Sequence, residues 1–399
     1  MKKKLIVISS YPIKGTTHGE KTVGVASYTK NTLVEMKKID PPLDITVMAE
    51  THEGETRYEE DGIHVSRSWR RGNIRDLYAV VKKIIALPYK KTVIVPIEIY
   101  MFGSLLHMAY VLGLLLLLKL KGIPVILVLH QVLEDMGNME RNKIKKGIFY
   151  MVKNMFYAYI IFLASKIVVF EEKFKKILPK SIKVVWIPHA IEQVHIQSKE
   201  VARTRLGLSP KAFITLYFGF LSPYKGVDKL LDVWKTTKEN MLVIAGGANP
   251  NHALNKKYSK YVEKITKLAA KKQAIMTGFV PEDMIQYYFS AADVVILPYQ
   301  LFFSSSGPLS LAFSYEKPVL LSEKIEDYFQ SSDFRKGLKD ISGLSQDAFI
   351  FKMNGEDISH KLAYIRNNIS LSTQFARYIK KERSWKKVAT KYAHLLAHI

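Results

Sequence analysis

Phe213-Ile214-Thr215-Leu216-Tyr217-Phe218-Gly219-Phe220-Leu221-Ser222-Pro223-Tyr224-Lys225-Gly226 opens a new structural series in this 399-residue chain. The apolar run suits a strand buried on both faces. Gly219 ends it in a turn, where the missing side chain lets backbone approach a ligand closely. The loop then delivers Lys225 just before Val227–Trp234, which begins a helix. A lysine at the carboxyl end of a parallel strand stands where α/β sheets bind ligands, and an ammonium suits a phosphate. Taken alone, a surface lysine in a βα turn reads the same way.

Working outward from that unit, strand-like apolar runs alternate with helix-length amphipathic segments. The runs fall at 4–9, 45–48, 92–97, 123–129, 167–170, 183–187, 213–218, 241–245, 273–276, 293–297 and 318–321. Such alternation predicts an α/β chain with parallel sheets and crossover helices. The length suits two domains of this kind. The first series closes near Trp186-Ile187-Pro188-His189, and Ile191–Arg203 is polar without a clear apolar period, as suits a linker. We therefore expect a first domain over 1–192 and a second over 193–375. The tail is helical by pattern from Gln374, because Trp385, Val388, Ala389, Tyr392, Leu395 and Leu396 recur at helical intervals. A segment 376–399 is expected to form that closing helix.

Composition narrows the partners. Hydrophobic residues make up 48% of the chain, ample for large cores, and there is no cysteine, which excludes disulfides and cysteine-ligated metals. The net charge is +24, with a surplus of 12 in residues 1–195 and of 12 in the rest. The charge is not one basic tail, so both halves attract anions: nucleic acid, lipid headgroups or phosphorylated small molecules. A generally basic surface accounts for it equally. The apolar run Leu5–Ile8 is too short for a signal-peptide core. The run 101–118, ending in five leucines, contains His107 and is bounded by Lys119 and Lys121. It reads as a buried or membrane-touching helix rather than a span.

Further motifs sit at strand ends. Phe302-Phe303-Ser304-Ser305-Ser306-Gly307-Pro308-Leu309-Ser310-Leu311-Ala312-Phe313 follows the run 293–297 and opens a helix. Backbone N–H groups over Ser305–Leu309, with the helix dipole, favour a phosphate there; a plain Ser-rich cap is the alternative. Lys14-Gly15-Thr16-Thr17-His18-Gly19 and Gly24-Val25-Ala26 lie between the first strand and a helix, without a Walker ending. His130 directly follows Pro124–Leu129, where a neutral imidazole meets a hydroxyl or accepts a proton, although a lone histidine is more often structural. Glu98 and Tyr100 close another strand in the same way. Arg141-Asn142-Lys143-Ile144-Lys145-Lys146-Gly147, followed by the aromatic-aliphatic stretch 148–163, suits an anionic membrane surface as well as it suits a helix with a core face.

Together these features resemble the GT-B glycosyltransferases of family 4, most clearly over 213–322. The resemblance rests on Gly219 with Lys225-Gly226, Thr277-Gly278-Phe279-Val280-Pro281-Glu282, Ala291-Ala292-Asp293-Val294 through Pro298, and Ser306-Gly307-Pro308-Leu309 with Lys317-Pro318-Val319. Gly24-Val25-Ala26, His130, Pro188-His189-Ala190 and Ser384-Trp385 with Tyr392 extend it across the chain. The family often carries two glutamates eight positions apart around the diphosphate helix; the matching positions here are Phe303 and Leu311, as in a Ser-Gly-Pro-Leu subgroup.

The resemblance implies two Rossmann-like domains with parallel sheets facing across a cleft, and a final helix packed back on the first domain. It implies retaining transfer of a sugar from a nucleotide diphosphate sugar to a glycan or lipid-linked acceptor, with neither metal nor cofactor. Lys225 and His130 would be catalytic, and Gly219, Ser222, Lys225, Ser305, Ser306, Gly307, Pro308 and Leu309 would hold the donor. Gly15, Gly24, Glu98 and Tyr100 would line the acceptor side. A cytoplasmic protein on the inner face of the cell membrane is expected. Two rivals stand beside this: a catalytically silent carbohydrate- or nucleotide-binding protein of the same fold, and a nucleic-acid binder. The even charge and the lack of a nucleic-acid motif weigh against the second.

Overall fold

A computed structural model describes residues 4–16, 24–52, 55–98, 100–133, 143–237, 239–249, 255–302 and 305–399. Contacts divide the chain into two units. One is Met1–His189 with Phe303–Ser305 and Trp385–Ile399; the other is Ala190–Phe302 with Ser306–Ser384.

The first unit holds one sheet built from β1 (Lys4–Ser9), β2 (Asp44–Glu50), β3 (Arg57–Glu60), β4 (Ile63–Trp69), β5 (Lys91–Ile97), β6 (Val125–Leu129), β7 (Lys166–Val169) and β8 (Val184–Trp186). The order is β3-β4-β2-β1-β5-β6-β7-β8. The β3–β4 pair is antiparallel and the other pairings are parallel. Five consecutive residues of β6 are buried, because a parallel strand covered on both faces has no side for water. Two strands escaped the reading by apolar runs. In β4, Ile63, Val65, Arg67 and Trp69 are buried while His64 is exposed, so the signal has period two. β3 is polar throughout.

The second unit holds β9 (Phe213–Phe218), β10 (Asn240–Ala245), β11 (Ile275–Met276), β12 (Val294–Leu297), β13 (Val319–Ser322) and β14 (Ile350–Phe351) in the parallel order β11-β10-β9-β12-β13-β14. Strand order reverses at β9, whose neighbours are β10 and β12. The corresponding reversal in the first sheet is at β1, between β2 and β5. Loops leaving such strands toward opposite sides open a crevice at the carboxyl ends, where open α/β sheets take ligands.

Two expectations are adjusted. The last five residues of the polar stretch 191–203 are not linker, since Lys199–Leu206 is a helix capped by Ser198. Its anchor is ionic rather than apolar: buried Arg203 reaches Asp293 Oδ2 at 2.7 Å. The tail is two helices, Ile369–Glu382 and Trp385–Ala397. The break falls where buried Arg383 is fixed by Asp333 (2.7 Å) and its carbonyl accepts from Ile191 N (2.7 Å). Within the first unit, Trp385–Ala397 lies against Gly24–Ile39, with the Tyr28 and Tyr392 hydroxyls 3.2 Å apart. The leucine-rich run forms the helix Leu105–Leu120, which buries Met108, Val111, Leu112, Leu114, Leu115 and Leu118. Among the described residues, no helix is long and apolar enough to cross a membrane.

Candidate functional site

The carboxyl ends of β9 and β12 bring the second-unit candidates together. Gly219 turns the chain out of β9 at φ 117°, a value side chains resist. A Cβ built there would lie 3.0 Å from Lys225 Nζ and 3.3 Å from Pro308 Cγ. Lys225 Nζ and the first turn of the Ser-Gly-Pro helix, Gly307–Ser314, therefore both border the space beside Gly219. The loop carrying Lys225 is clamped at both ends. Gly219 N donates to Ala245 O, Ser222 O accepts from Lys225 N, and Gln300 N donates to Tyr224 O. Gly226 (φ 67°) closes the turn so tightly that a Cβ would fall 2.2 Å from Pro298 O.

Lys225 meets no carboxylate among the described residues. The residue is half-buried overall, but its ammonium end is enclosed, and this burial brings its pKa down from 10.5 to about 8. A desolvated cation without a counter-charge is matched by an incoming anion. The helix start supplies further positive character, though through fewer groups than the sequence suggests. Ser306 N donates to Tyr328 OH (3.0 Å), and Leu309 N donates to Ser306 Oγ (3.2 Å). Pro308 has no N–H. Within Ser306–Leu309 that leaves Gly307 N–H, which has no hydrogen-bond partner among the described residues. Ser306 is thus an N-cap locked between Tyr299 and Tyr328. Ser305 falls in the first unit, where its hydroxyl donates to Glu171 (2.9 Å). Phe303 lies outside the described residues; Leu311 is half-buried on the helix.

Sequence reasoning passed over the aromatic residues here. Phe220 and Phe279 stack at 6.2 Å with ring planes 22° apart, and both are exposed. They follow β9 and β11, beside the Lys225 loop. Their signal was present, since each directly follows a glycine at a strand end.

In the first unit, His130 N donates to Ile97 O, which ties the residue to the end of β5. Tyr28 and Phe170 meet its ring edge-on at 5.4 and 4.8 Å. Burial, and then the neighbouring His189, bring its pKa down to about 3, so the imidazole stays neutral. Nε2 is buried without a hydrogen-bond partner among the described residues. A buried polar atom in that state is uncommon and fits a hydroxyl of a ligand. Glu98 follows β5; burial raises its pKa, opposed by Arg71. Tyr100 is exposed. Gly15 (φ 79°) donates its N–H to Glu60 Oε1 (2.8 Å), and Gly24 is the first residue of its helix. Thr17, His18 and Gly19 lie outside the described residues.

Residues 198–382, a little under half of the chain, match the family model for Glycosyl transferases group 1. Over 105 residues the chain is 34% identical to a GDP-mannose:glycolipid 4-beta-D-mannosyltransferase of Xanthomonas campestris pv. campestris. That match covers 26% of this chain and 29% of that protein, so the chain spans under a third of the length of the curated relatives it matches. Sucrose-phosphate synthase from Thermosynechococcus elongatus superposes with a TM-score of 0.68 at 13% identity, over 99% of this chain and 98% of that one. Anabaena HepE, in a crystal structure with UDP, gives 0.62 at 13% identity over the whole of both chains. The fold is α/β of the GT-B type, with two parallel-sheet Rossmann-like units.

Proposed function

We propose that this chain is a nucleotide-sugar-dependent glycosyltransferase of the family 4 kind. Its second unit takes the donor, and its first takes a glycan or lipid-linked acceptor in envelope or glycoconjugate synthesis. The observation that carries the reading is the enclosed, carboxylate-free ammonium of Lys225 beside Pro308. The family match over 198–382 and the sugar-nucleotide chemistry in the names of its relatives support it.

Breaking the bond from anomeric carbon to phosphate oxygen leaves negative charge on the departing diphosphate. Lys225, Gly307 N–H and the positive end of Gly307–Ser314 would meet that charge without a metal or cofactor. The Phe220–Phe279 pair would stack the base. Neutral His130 would hold a hydroxyl of the transferred sugar through Nε2, and Glu98 with Tyr100 would face the acceptor. Retention of the donor's anomeric configuration belongs to this reading. The β-linkage in the name of the Xanthomonas relative makes product stereochemistry the measurement that decides it. The protein would work in the cytoplasm, peripherally on the inner membrane face.

The test is a thermal-shift panel of nucleoside diphosphates and their sugars, followed by product analysis with the donor that binds. A protein whose melting point no nucleoside diphosphate raises is not this enzyme. One observation favours a second reading, a silent binding protein: Leu311 stands where a glutamate commonly grips the ribose. A donor that binds but is neither hydrolysed nor transferred would establish that alternative.

A further inference from the structure

Tyr299 stands two residues beyond the end of β12 in the second unit and touches both halves of the phosphate site. It is 6% exposed. Its backbone is fixed on both sides: Ser322 Oγ donates to the Tyr299 carbonyl, and Gln300 N donates to Tyr224 O in the lysine loop. Its ring meets that loop. The Tyr224 ring lies 6.1 Å away with planes 71° apart, and Lys225 Nζ lies 5.9 Å from the Tyr299 ring centroid, within reach of a cation–π attraction. Its hydroxyl meets the helix start, 3.2 Å from Ser306 Oγ at the cap of Gly307–Ser314. A phenylalanine would fill the same volume without that second contact.

The protons at this contact can be counted. Burial raises the pKa of the phenol, which therefore stays protonated. The phenol is the more acidic of the two hydroxyls and donates to Ser306 Oγ. That oxygen also accepts from Leu309 N (3.2 Å), so both of its lone pairs are taken. The serine's own proton then has no acceptor among the described residues, although Ser306 is buried. It belongs to the residue just before Gly307, whose N–H is likewise unpartnered there. A buried donor left without an acceptor is costly, and an anionic oxygen removes the cost.

We infer that Tyr299 is a positioning residue of the donor-phosphate site: its ring backs the Lys225 ammonium, and its hydroxyl holds Ser306 Oγ so that the serine's proton is left for a phosphate oxygen. The site then offers a phosphate three donors, Lys225 Nζ, Gly307 N–H and the Ser306 hydroxyl. Tyr299 acts only through the first and the last. This role rests on the reading of the site as one for nucleotide sugars, and adds to it how the lysine and the helix start are held together.

Isothermal titration of the full chain with inorganic pyrophosphate, GDP and UDP tests the role. Tyr299→Phe keeps the ring and loses the hydroxyl. It should melt within about 4 °C of the wild type and bind the diphosphates ~3- to 10-fold more weakly. Tyr299→Leu also loses the ring and should bind them ~10-fold or more weakly. The pH above which binding weakens, about 8 in the wild type, should move up in Tyr299→Leu, where the ammonium is less enclosed, and stay in place in Tyr299→Phe. The double variant Lys225→Met/Tyr299→Leu should lose less than the product of the two single losses, because the ring acts through the lysine. Should Tyr299→Leu fail to fold, Tyr299→Phe still decides. Wild-type affinity in Tyr299→Phe overturns the inference and leaves the reading of the site intact. Single losses that multiply fully in the double variant assign Tyr299 to the fold alone and overturn it equally. A wild-type chain that takes none of the three diphosphates removes the reading of the site, and this role with it.

Discussion

Replacing Lys225 with methionine should strengthen the fold while removing the function. The side chain keeps its length and loses its charge. Burial brings the wild-type ammonium from 10.5 down to about 8, which corresponds to roughly 3 kcal/mol of disfavour for the charged form. Because the folded value lies below the unfolded one, the cost to stability is complete below pH 8. It declines as pH rises through 8 and is gone above 10.5. Lys225→Met should therefore be more stable than wild type at pH 7 by up to about 3 kcal/mol, and the gain should vanish toward pH 10.5. The same substitution should cost roughly 100- to 1,000-fold in transfer rate, the scale of losing one preorganised charge-stabilising group. Wild-type affinity for a nucleoside diphosphate should weaken up to ~10-fold per pH unit above 8, as the free protein loses the proton the diphosphate needs. Denaturant melts from pH 6 to 10.5 and nucleotide thermal shifts at each pH read both effects. Equal stability of the two proteins at pH 7, or a nucleotide shift retained by Lys225→Met, would refute the reasoning.

Other substitutions probe other parts of the site. Phe279→Ala should weaken nucleotide binding by roughly 5- to 150-fold, the value of one base–aromatic stack, without lowering the melting point of the free protein; calorimetric titration checks it. With His130 held near 3, kcat/KM should show no imidazole inflection between pH 5 and 8. An inflection near 6.5 that disappears in His130→Gln would show that the ring titrates and is not the neutral donor or acceptor described above. Gly226→Ala forces a methyl to 2.2 Å from Pro298 O at a positive φ, and should destabilise by roughly 3 kcal/mol or more in a denaturant melt. A wild-type midpoint would mean that the turn is not built as the structure has it.

Much of the framework was legible because parallel strands covered on both faces must be apolar throughout. Hence β1, β6, β9 and β12 announce themselves as runs, and the strand–glycine–lysine–helix order around Lys225 is local. β4 was not legible as a run, because its alternation is a weaker pattern, and the two residues of β14 are too few to carry any. The Ser-Gly-Pro turn was recognisable as a helix start. Which of its amides remains for a ligand depends on Tyr328, brought in from 22 residues away. The composition of Lys143–Leu163 shows a helix that is basic and apolar; which apolar residues face the core is decided by the neighbours that cover one side. Periodicity and turn chemistry are properties of short segments, so the sequence alone determined the elements and their order. Solvent exposure, proton affinity and the pairing of polar groups depend on residues distant in sequence, so only the tertiary structure decided that Lys225 is a desolvated cation and His130 a neutral ring.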